Sequence, residues 1–165
     1  MRRMRGAVVG GAAAVVTAAI GGMTAAPAAG AVGAPVAGLA YHGSVDMVGG
    51  RVDVRFTPHN HGTAAVPDST VRIRWSQPLA DAQTLPAGCA RAEERAVLCR
   101  VGALGADAVG QQIGLRVWLR DAPAEEVVLE FDTVWSGGEG EEKREGRGND
   151  QQRVLVLETG DTYYF

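Results

Sequence analysis

The sequence comprises 165 residues, of which 46% are hydrophobic and 5% aromatic, and its formal net charge at pH 7 is −3. This length corresponds to one domain with a single hydrophobic core. The acidic balance argues against nucleic acid as a partner, because a nucleic-acid-binding domain needs a net basic face.

The N-terminal segment has the pattern of a secretory signal peptide. Residues 1–5 contain three arginines, and residues 6–41 contain no charged side chain. The apolar core of this stretch, residues 7–20, is shorter than the roughly 18 to 20 residues that a membrane-spanning helix needs. We therefore expect export of the chain, with no stable membrane span after cleavage. The expected location is secreted, extracellular or associated with the cell envelope.

Small residues mark the expected cleavage site. Ala29 and Ala31 occupy the two positions read before a scissile bond, which predicts cleavage after Ala31. Cleavage after Ala28 is the second choice. An uncleaved anchor and export by the twin-arginine route, through Arg2 and Arg3, are the competing interpretations.

Cleavage defines the domain organisation: a signal peptide over residues 1–31, a short linker over 32–37 and one domain over 38–165. Removing residues 1–31 takes away three of the 16 basic residues and none of the 19 acidic ones, which leaves a formal net charge of −6. Residues 137–152 have no apolar side chain and mix both charge signs with glycine, which predicts a disordered loop. Calcium binding by the glutamates of this loop is the alternative.

Beyond the linker, the hydrophobic pattern repeatedly has a period of two, which predicts strands with one buried and one solvent-facing side. About seven strands are expected, near residues 39–48, 51–56, 71–76, 96–101, 113–120, 127–135 and 153–159. Turn signals such as Gly49-Gly50 separate them. The best helical segment, Ala90 to Arg95, is too short to be stable alone. These features predict an all-β, antiparallel two-sheet sandwich.

The two cysteines of the sequence, Cys89 and Cys99, both lie in the exported part. An even number, an oxidising compartment and close spacing predict a disulfide between them. The closed loop would stabilise the fold by roughly 3 kcal/mol on the chain-entropy model. A free thiol pair or metal ligation is the alternative.

Several short motifs follow one another over about residues 50–120. They are Asn60-His61-Gly62 after a strand, Asp68 opening the next strand, the Leu85–Gly88 turn, the Cys89 and Cys99 pair, and Gly102–Leu104. In this order they resemble the bacterial conserved-repeat domain of unknown function of exported and cell-surface proteins. The resemblance implies an immunoglobulin-like sandwich with a structural or adhesive role. That family commonly forms tandem arrays in long anchored proteins, whereas this sequence holds one copy.

Two groups of polar residues that include histidine are candidates for a catalytic or a metal-binding site. His42, Ser44 and Asp46 are the residue types of a hydrolase triad, but residues two and four apart on a strand lie about 7 and 13 Å apart, so no catalytic site is expected. His59 and His61 could offer two imidazoles to a metal, with Asp68 as a conceivable neighbour. A turn built on Asn60 and Gly62 explains the same stretch without a metal. We therefore expect no catalytic residue, metal or cofactor, with adventitious metal binding as the alternative.

Arginines on predicted solvent-facing positions form a possible binding face. The face is expected to comprise Trp118, Arg72, Arg74, Arg116 and Arg120, with further arginines at positions 51 and 55. Such guanidinium groups beside an exposed indole could bind an anionic wall polymer or an acidic glycan. The competing interpretation is that Asp53, Glu130 and Asp132 pair with these arginines and make the sheet face soluble.

The sequence thus predicts a non-catalytic secreted or cell-envelope module with a structural, adhesive or binding role, whose partner is an unknown protein or a cell-wall polymer. Glycan binding through the arginine and tryptophan face is one alternative. A secreted enzyme or inhibitor with an unrecognised site is another. The stretch Thr162 to Phe165 is expected to dock on its own domain. Completion of a neighbouring molecule's sheet is the alternative.

Overall fold

The computed structural model of the protein describes residues 37–122, 124–136 and 151–165. These residues form nine strands: β1 Leu39–Val48, β2 Arg51–Asn60, β3 Ser69–Trp75, β4 Cys89–Glu93, β5 Ala96–Arg100, β6 Ile113–Trp118, β7 Glu126–Ser136, β8 Gln152–Leu157 and β9 Tyr163–Tyr164. Within these ranges there is no helix. No described segment therefore forms a helix that is long and apolar enough to cross a membrane.

The strands build two antiparallel sheets. One has four strands in the order β6-β2-β1-β9, and the other has five strands in the order β4-β5-β3-β7-β8. Each strand pairs with its neighbours in antiparallel register. The predicted all-β class is confirmed, and the two sheets are consistent with a β-sandwich.

The alternating apolar residues of the two sheets meet in one core. Tyr41 and Phe56 of the four-stranded sheet lie with their ring centroids 6.0 and 5.6 Å from that of Phe131 in the five-stranded sheet. The Tyr41 hydroxyl also lies 2.7 Å from the Thr133 hydroxyl across the core. Further side chains buried to 1% exposure or less include Val45, Met47, Val52, Val54, Val71, Ile73, Trp75, Val117, Val127, Leu129 and Val156. The period-two pattern is thereby explained, because every second residue contributes to this core.

A two-residue turn joins β1 to β2 and fixes their register. Gly49 and Gly50 have φ angles of 59° and 72°, the left-handed conformations that a tight hairpin of this kind requires at both central positions. Val48 consequently pairs with Arg51, and the pairing continues without a shift to Leu39 and Asn60. The turn therefore determines which residues of β1 and β2 lie side by side.

The expected count of about seven strands is too low, because β4 and β9 were not predicted. Residues 90–95, judged too short for a stable helix, form no helix: β4 occupies most of that stretch and pairs with β5. The Arg91 guanidinium donates hydrogen bonds of 3.0 and 2.6 Å to the carbonyl oxygens of Leu79 and Ala80. Polar and charged side chains of this kind are typical of a strand at the edge of a sheet.

The predicted disulfide is confirmed. Cys89 on β4 and Cys99 on β5 are directly opposite each other in the ladder, and their Cα atoms are 4.1 Å apart. The cross-link joins the edge strand of the five-stranded sheet to its neighbour.

The C-terminal residues dock on their own domain, as predicted. Tyr163 and Tyr164 form β9, which pairs with Val45 and Ser44 of β1. The ring of Phe165 packs 4.9 Å from that of Phe131, measured between centroids. This short strand covers the edge of β1 in the four-stranded sheet.

Some predictions fall outside the described residues. The signal peptide over residues 1–31 is one of them, and of the linker over 32–37 only Ala37 is described. Most of the loop predicted for residues 137–152 is likewise outside. Its C-terminal boundary is wrong by one residue, because Gln152 already belongs to β8 and pairs with Phe131.

Candidate metal centre

The outer face of the four-stranded sheet carries two histidines on adjacent strands. The side chain of Tyr41 is buried, so its neighbour His42 on β1 points outward. Pro58 and Asn60 are buried in the same way, so His59 on β2 points outward. In the ladder, His42 is opposite Thr57 and His59 is opposite Ala40. The two histidines are therefore diagonal neighbours on one face.

His61 follows directly after β2 and joins this pair. The Nε2 atoms of His42 and His61 are 3.4 Å apart, although 19 residues separate them in sequence. The ring centroids of His59 and His61 are 3.7 Å apart, and those of His42 and His59 are 6.3 Å apart. One nitrogen from each ring lies within 4.8 Å of the others. All three histidines of the sequence thus meet at one place.

The spacing of the His42 and His61 nitrogens is close to that of two ligands of a single metal ion. A tetrahedral zinc ion with Zn–N bonds of about 2.05 Å places its nitrogen ligands roughly 3.3 Å from one another, close to the 3.4 Å between His42 and His61. His42 and His61 are exposed and His59 is half-buried, so the side chains are accessible and can rotate. The rings of His59 and His61, whose centroids are 3.7 Å apart and whose planes are tilted by 44°, need to rotate apart for all three nitrogens to bind.

Asn60 fixes the backbone between the two neighbouring histidines. Its side chain is fully buried, and its Oδ1 accepts hydrogen bonds from the backbone N–H groups of Gly38 and Gly62 at 3.2 and 3.0 Å. Its Nδ2 donates 2.8 Å hydrogen bonds to the carbonyl oxygens of Ala64 and Gly105. The interpretation of this stretch as a turn and its interpretation as a metal site are therefore compatible, because Asn60 holds the turn while His59 and His61 face outward.

The cluster departs from the sequence-based groups in two ways. Asp68, considered as a neighbour of His59 and His61, instead binds Arg100 through a 2.6 Å ion pair. The hydrogen bond from Arg100 is the main cause that lowers the pKa of Asp68 below its ordinary value. Ser44 and Asp46 continue along β1 and lie opposite Arg55 and Asp53. Of the triad-type residues, only His42 belongs to the cluster.

Sequence reasoning missed His42 as the third imidazole, although the sequence contains the signal. A two-residue turn at positions 49 and 50 pairs residue 48 with residue 51. Counting back along both strands pairs position 42 with position 57, which places His42 diagonally beside His59. The register of one hairpin was thus sufficient to bring His42 to the other two histidines.

The predicted arginine and tryptophan face is divided between the two sheets. Arg72 and Arg74 lie on β3 of the five-stranded sheet, whereas Arg116 and Trp118 lie on β6 of the four-stranded sheet, with Arg120 just beyond it. Arg72 and Arg74 therefore do not share a sheet with Arg116 and Trp118, whereas Arg51 and Arg55 lie on β2, the neighbour of β6.

Carboxylates also bind these arginines. The pairs are Arg72 with Asp132, Arg74 with Glu93, Arg116 with Asp53, and Arg120 with both Asp81 and Glu94. Hydrogen bonding to Glu94 is the main cause that raises the pKa of Arg120. Asp53, which the sequence placed on a solvent-facing position, is buried between Arg116 and Arg51. The arrangement matches the cross-strand pairing that the competing interpretation expected for Asp53 and Asp132.

Trp118 itself is a half-exposed indole, with 47% of its surface accessible. The Gln83 side chain accepts a 3.0 Å hydrogen bond from the Trp118 backbone N–H and donates a 2.8 Å hydrogen bond to its carbonyl oxygen. The Gln83 side chain thereby forms the backbone hydrogen bonds that a neighbouring strand would form with Trp118.

No family model matches the sequence, and no curated protein matches it.

Proposed function

We propose that this protein is an exported, non-catalytic β-sandwich module that binds a divalent transition-metal ion of the zinc type. The ligands are His42, His59 and His61. The observation that carries the proposal is that one nitrogen from each of the three imidazoles lies within 4.8 Å of the other two.

The convergence of these side chains needs an explanation other than core packing. His42 and His61 are exposed, so burial of apolar surface does not hold their rings together. Exposed imidazoles are free to point away from each other into water, yet here the Nε2 atoms of His42 and His61 lie 3.4 Å apart, where one can donate a hydrogen bond to the other in the absence of an ion. A shared cation gives both lone pairs a partner, and imidazole nitrogen is a ligand that Zn²⁺, Cu²⁺ and Ni²⁺ all accept.

The fold supports the site through backbone that cannot easily shift. Two of the ligands lie on paired strands, and the four hydrogen bonds of buried Asn60 hold the third beside them. A site on strands is more precisely positioned than one on a free loop. Only side-chain rotation is then required to bind an ion.

The test is titration of the protein, purified without a polyhistidine tag, with Zn²⁺ by isothermal calorimetry. We expect one ion per chain, and a loss of affinity of roughly 100-fold or more for His42→Ala and for His61→Ala, which exceeds the usual effect of residues behind the ligands. Arg55→Ala, an exposed change on the same strand as His59, is the matched control and should bind as tightly as the wild type. Equal affinity of the histidine variants and the wild type would overturn the proposal.

Export and the immunoglobulin-like type of sandwich are part of the same proposal. The disulfide supports export, because such bonds persist in oxidising compartments. The order of motifs over residues 50–120 supports the relation to the conserved-repeat domain of exported proteins. The mass of the protein recovered from culture medium or envelope tests the first point, since cleavage after Ala31 fixes that mass.

A second candidate function, binding of a wall polymer or glycan, rests on Trp118 alone. The half-exposed indole is held at its backbone by Gln83, and a flat aromatic surface of this kind can stack on a sugar ring. Since the arginines are bound to carboxylates, stacking on Trp118 is the main contribution that we expect.

A further inference from the structure

A carboxylate lies beside His59, one of the three histidines. The Oδ1 atom of Asp107 is 3.7 Å from Nε2 of His59, and 87% of the Asp107 side chain is exposed. Asp107 belongs to the segment between β5 and β6, so the carboxylate reaches the histidines from a third part of the chain. Asp107 is outside the group of ligand atoms that lie within 4.8 Å of one another, so its side chain has to rotate to join the three histidines.

The backbone around Asp107 is held against the strand that carries the histidines. The Asp107 N–H donates a 3.2 Å hydrogen bond to the carbonyl oxygen of Gly62, and the N–H of Asn60 donates a 2.9 Å hydrogen bond to that of Ala108. Val109 forms an isolated bridge with His59. The segment therefore runs beside the end of β2 as a partial extra strand, and Asp107 remains next to the site.

Asp107 has an unusual backbone conformation. Its φ angle is 51°, and it is the only residue other than glycine with a positive φ in the described part of the chain. Asparagine and aspartate both tolerate this conformation, and glycine does so at no steric cost. The turn therefore explains the backbone conformation at position 107, but it does not explain why the residue carries a negative charge.

The ion pair with His59 does not explain the presence of a carboxylate at position 107 either. A pair at 3.7 Å with one strongly exposed member contributes little to stability, because water screens it. A divalent cation bound to three neutral imidazoles, in contrast, needs a fourth ligand, and an anionic oxygen also offsets its charge.

We infer that Asp107 is the fourth ligand of the metal site and closes a sphere of three imidazoles and one carboxylate around Zn²⁺. The inference rests on the proposed metal-binding function. A closed sphere of four protein ligands is typical of zinc sites that hold the ion, whereas catalytic zinc sites keep one position open for water. The site would then retain the ion and leave no position at which a water is activated.

The variant that isolates this role is Asp107→Asn. Asparagine has the same shape and tolerates the same φ angle, so the turn is kept while the anionic ligand is removed. Asp107→Gly removes the side chain and also keeps the turn. Asp46→Asn is the matched control, because Asp46 lies four residues beyond His42 on β1, opposite Asp53.

The experiment measures Zn²⁺ affinity by competition with a chromophoric chelator and records the visible absorption spectrum of the Co²⁺-loaded protein. For Asp107→Asn and Asp107→Gly we expect about a 10- to 100-fold loss of Zn²⁺ affinity, together with a shift of the Co²⁺ bands as water replaces the carboxylate. Asp46→Asn should match the wild type in both readouts.

The outcomes separate the two proposals. If the wild type binds neither ion, the proposed metal-binding function fails and the inference fails with it. If the wild type binds both ions and the two Asp107 variants keep its affinity and its Co²⁺ spectrum, the function stands and only the role of Asp107 is overturned. Loss of affinity with unchanged thermal unfolding of the apo variants supports the inference.

Discussion

Phe165 exchanges two backbone hydrogen bonds with Gly43, of 2.9 and 3.0 Å. Its side chain packs on Phe131, a core residue of the opposite sheet. One residue therefore covers the edge of β1 and contributes to the core. Gly43 is also the neighbour of His42, so the covered edge lies directly beside the histidine cluster.

Phe165→Ala should lower the free energy of unfolding by about 1–2 kcal/mol, because the half-buried ring loses its contact with the core. The matched control is Tyr164→Ala, since Tyr164 is 83% exposed and its removal should change stability by less than about 0.5 kcal/mol. Urea denaturation of the two variants measures both values. A larger loss for Tyr164→Ala than for Phe165→Ala would contradict this account.

Gly43→Ala is expected to be strongly destabilising. A Cβ atom at this position would lie 2.0 Å from the carbonyl oxygen of Arg55 on the paired strand, so the strands have to separate. We expect a loss of about 2–4 kcal/mol, measured as a lower urea midpoint. Gly114→Ala, in β6, meets no atom within 4 Å and should be neutral or slightly stabilising. Similar midpoints for the two variants would show that β1 and β2 can move apart at Gly43.

Removal of the Cys89–Cys99 disulfide should cost roughly 3 kcal/mol on the chain-entropy model. The double variant Cys89→Ser, Cys99→Ala tests this by urea denaturation, and the intact mass of the wild type should rise by two hydrogens on reduction. The disulfide lies in the five-stranded sheet, whereas the histidines lie in or next to the four-stranded sheet. The folded double variant should therefore bind Zn²⁺ with the same affinity as the wild type. An unchanged mass on reduction would contradict the disulfide.

The Asp68–Arg100 pair predicts a loss of stability in acid. The hydrogen bond from Arg100 lowers the pKa of Asp68 in the folded protein, so the folded state favours the ionised carboxyl. The resulting stabilisation is present above the pKa of the unfolded chain, about 3.8, and is lost as the pH falls through the lower folded value. Stability should therefore decline less steeply below about pH 4 in Asp68→Asn than in the wild type. Parallel pH profiles of unfolding for the two proteins would contradict this prediction.

The glycan hypothesis predicts that purified cell wall retains the protein and that Trp118→Ala abolishes the retention. The indole supplies the stacking surface, while the neighbouring arginines are bound to carboxylates. Arg116→Ala should accordingly have a smaller effect than Trp118→Ala in the same sedimentation assay. Equal retention of Trp118→Ala and the wild type would remove this second candidate function.

The sequence was sufficient to predict most of the fold, because alternation is strong wherever one face of a strand is buried. Val71, Ile73 and Trp75 are an example, since all three are buried on β3 as the pattern indicates. β4 was missed because it is an edge strand with few buried side chains, so it carries no alternation. β9 was missed because two residues are too few to show a period.

The candidate site was less accessible to prediction, for a different reason. His59 and His61 are two residues apart, so an extended chain was expected to point both side chains to the same side. His42 requires the hairpin register, and Asp107 requires the contact between the β5–β6 segment and the end of β2. That contact depends on hydrogen bonds between backbone groups, which side-chain patterns do not encode.

The disulfide bears on which ions the protein can hold. Both cysteines of the sequence are consumed in it, and Met47 is buried in the core. The described surface thus presents no sulfur donor, while soft ions such as Cu⁺ prefer thiolate or thioether ligands. In a medium that contains small thiols, such ions would partition to the thiols. The protein would then bind only borderline ions such as Zn²⁺ in competition with those thiols. This selectivity would arise because the disulfide leaves no free thiolate that could bind a soft ion.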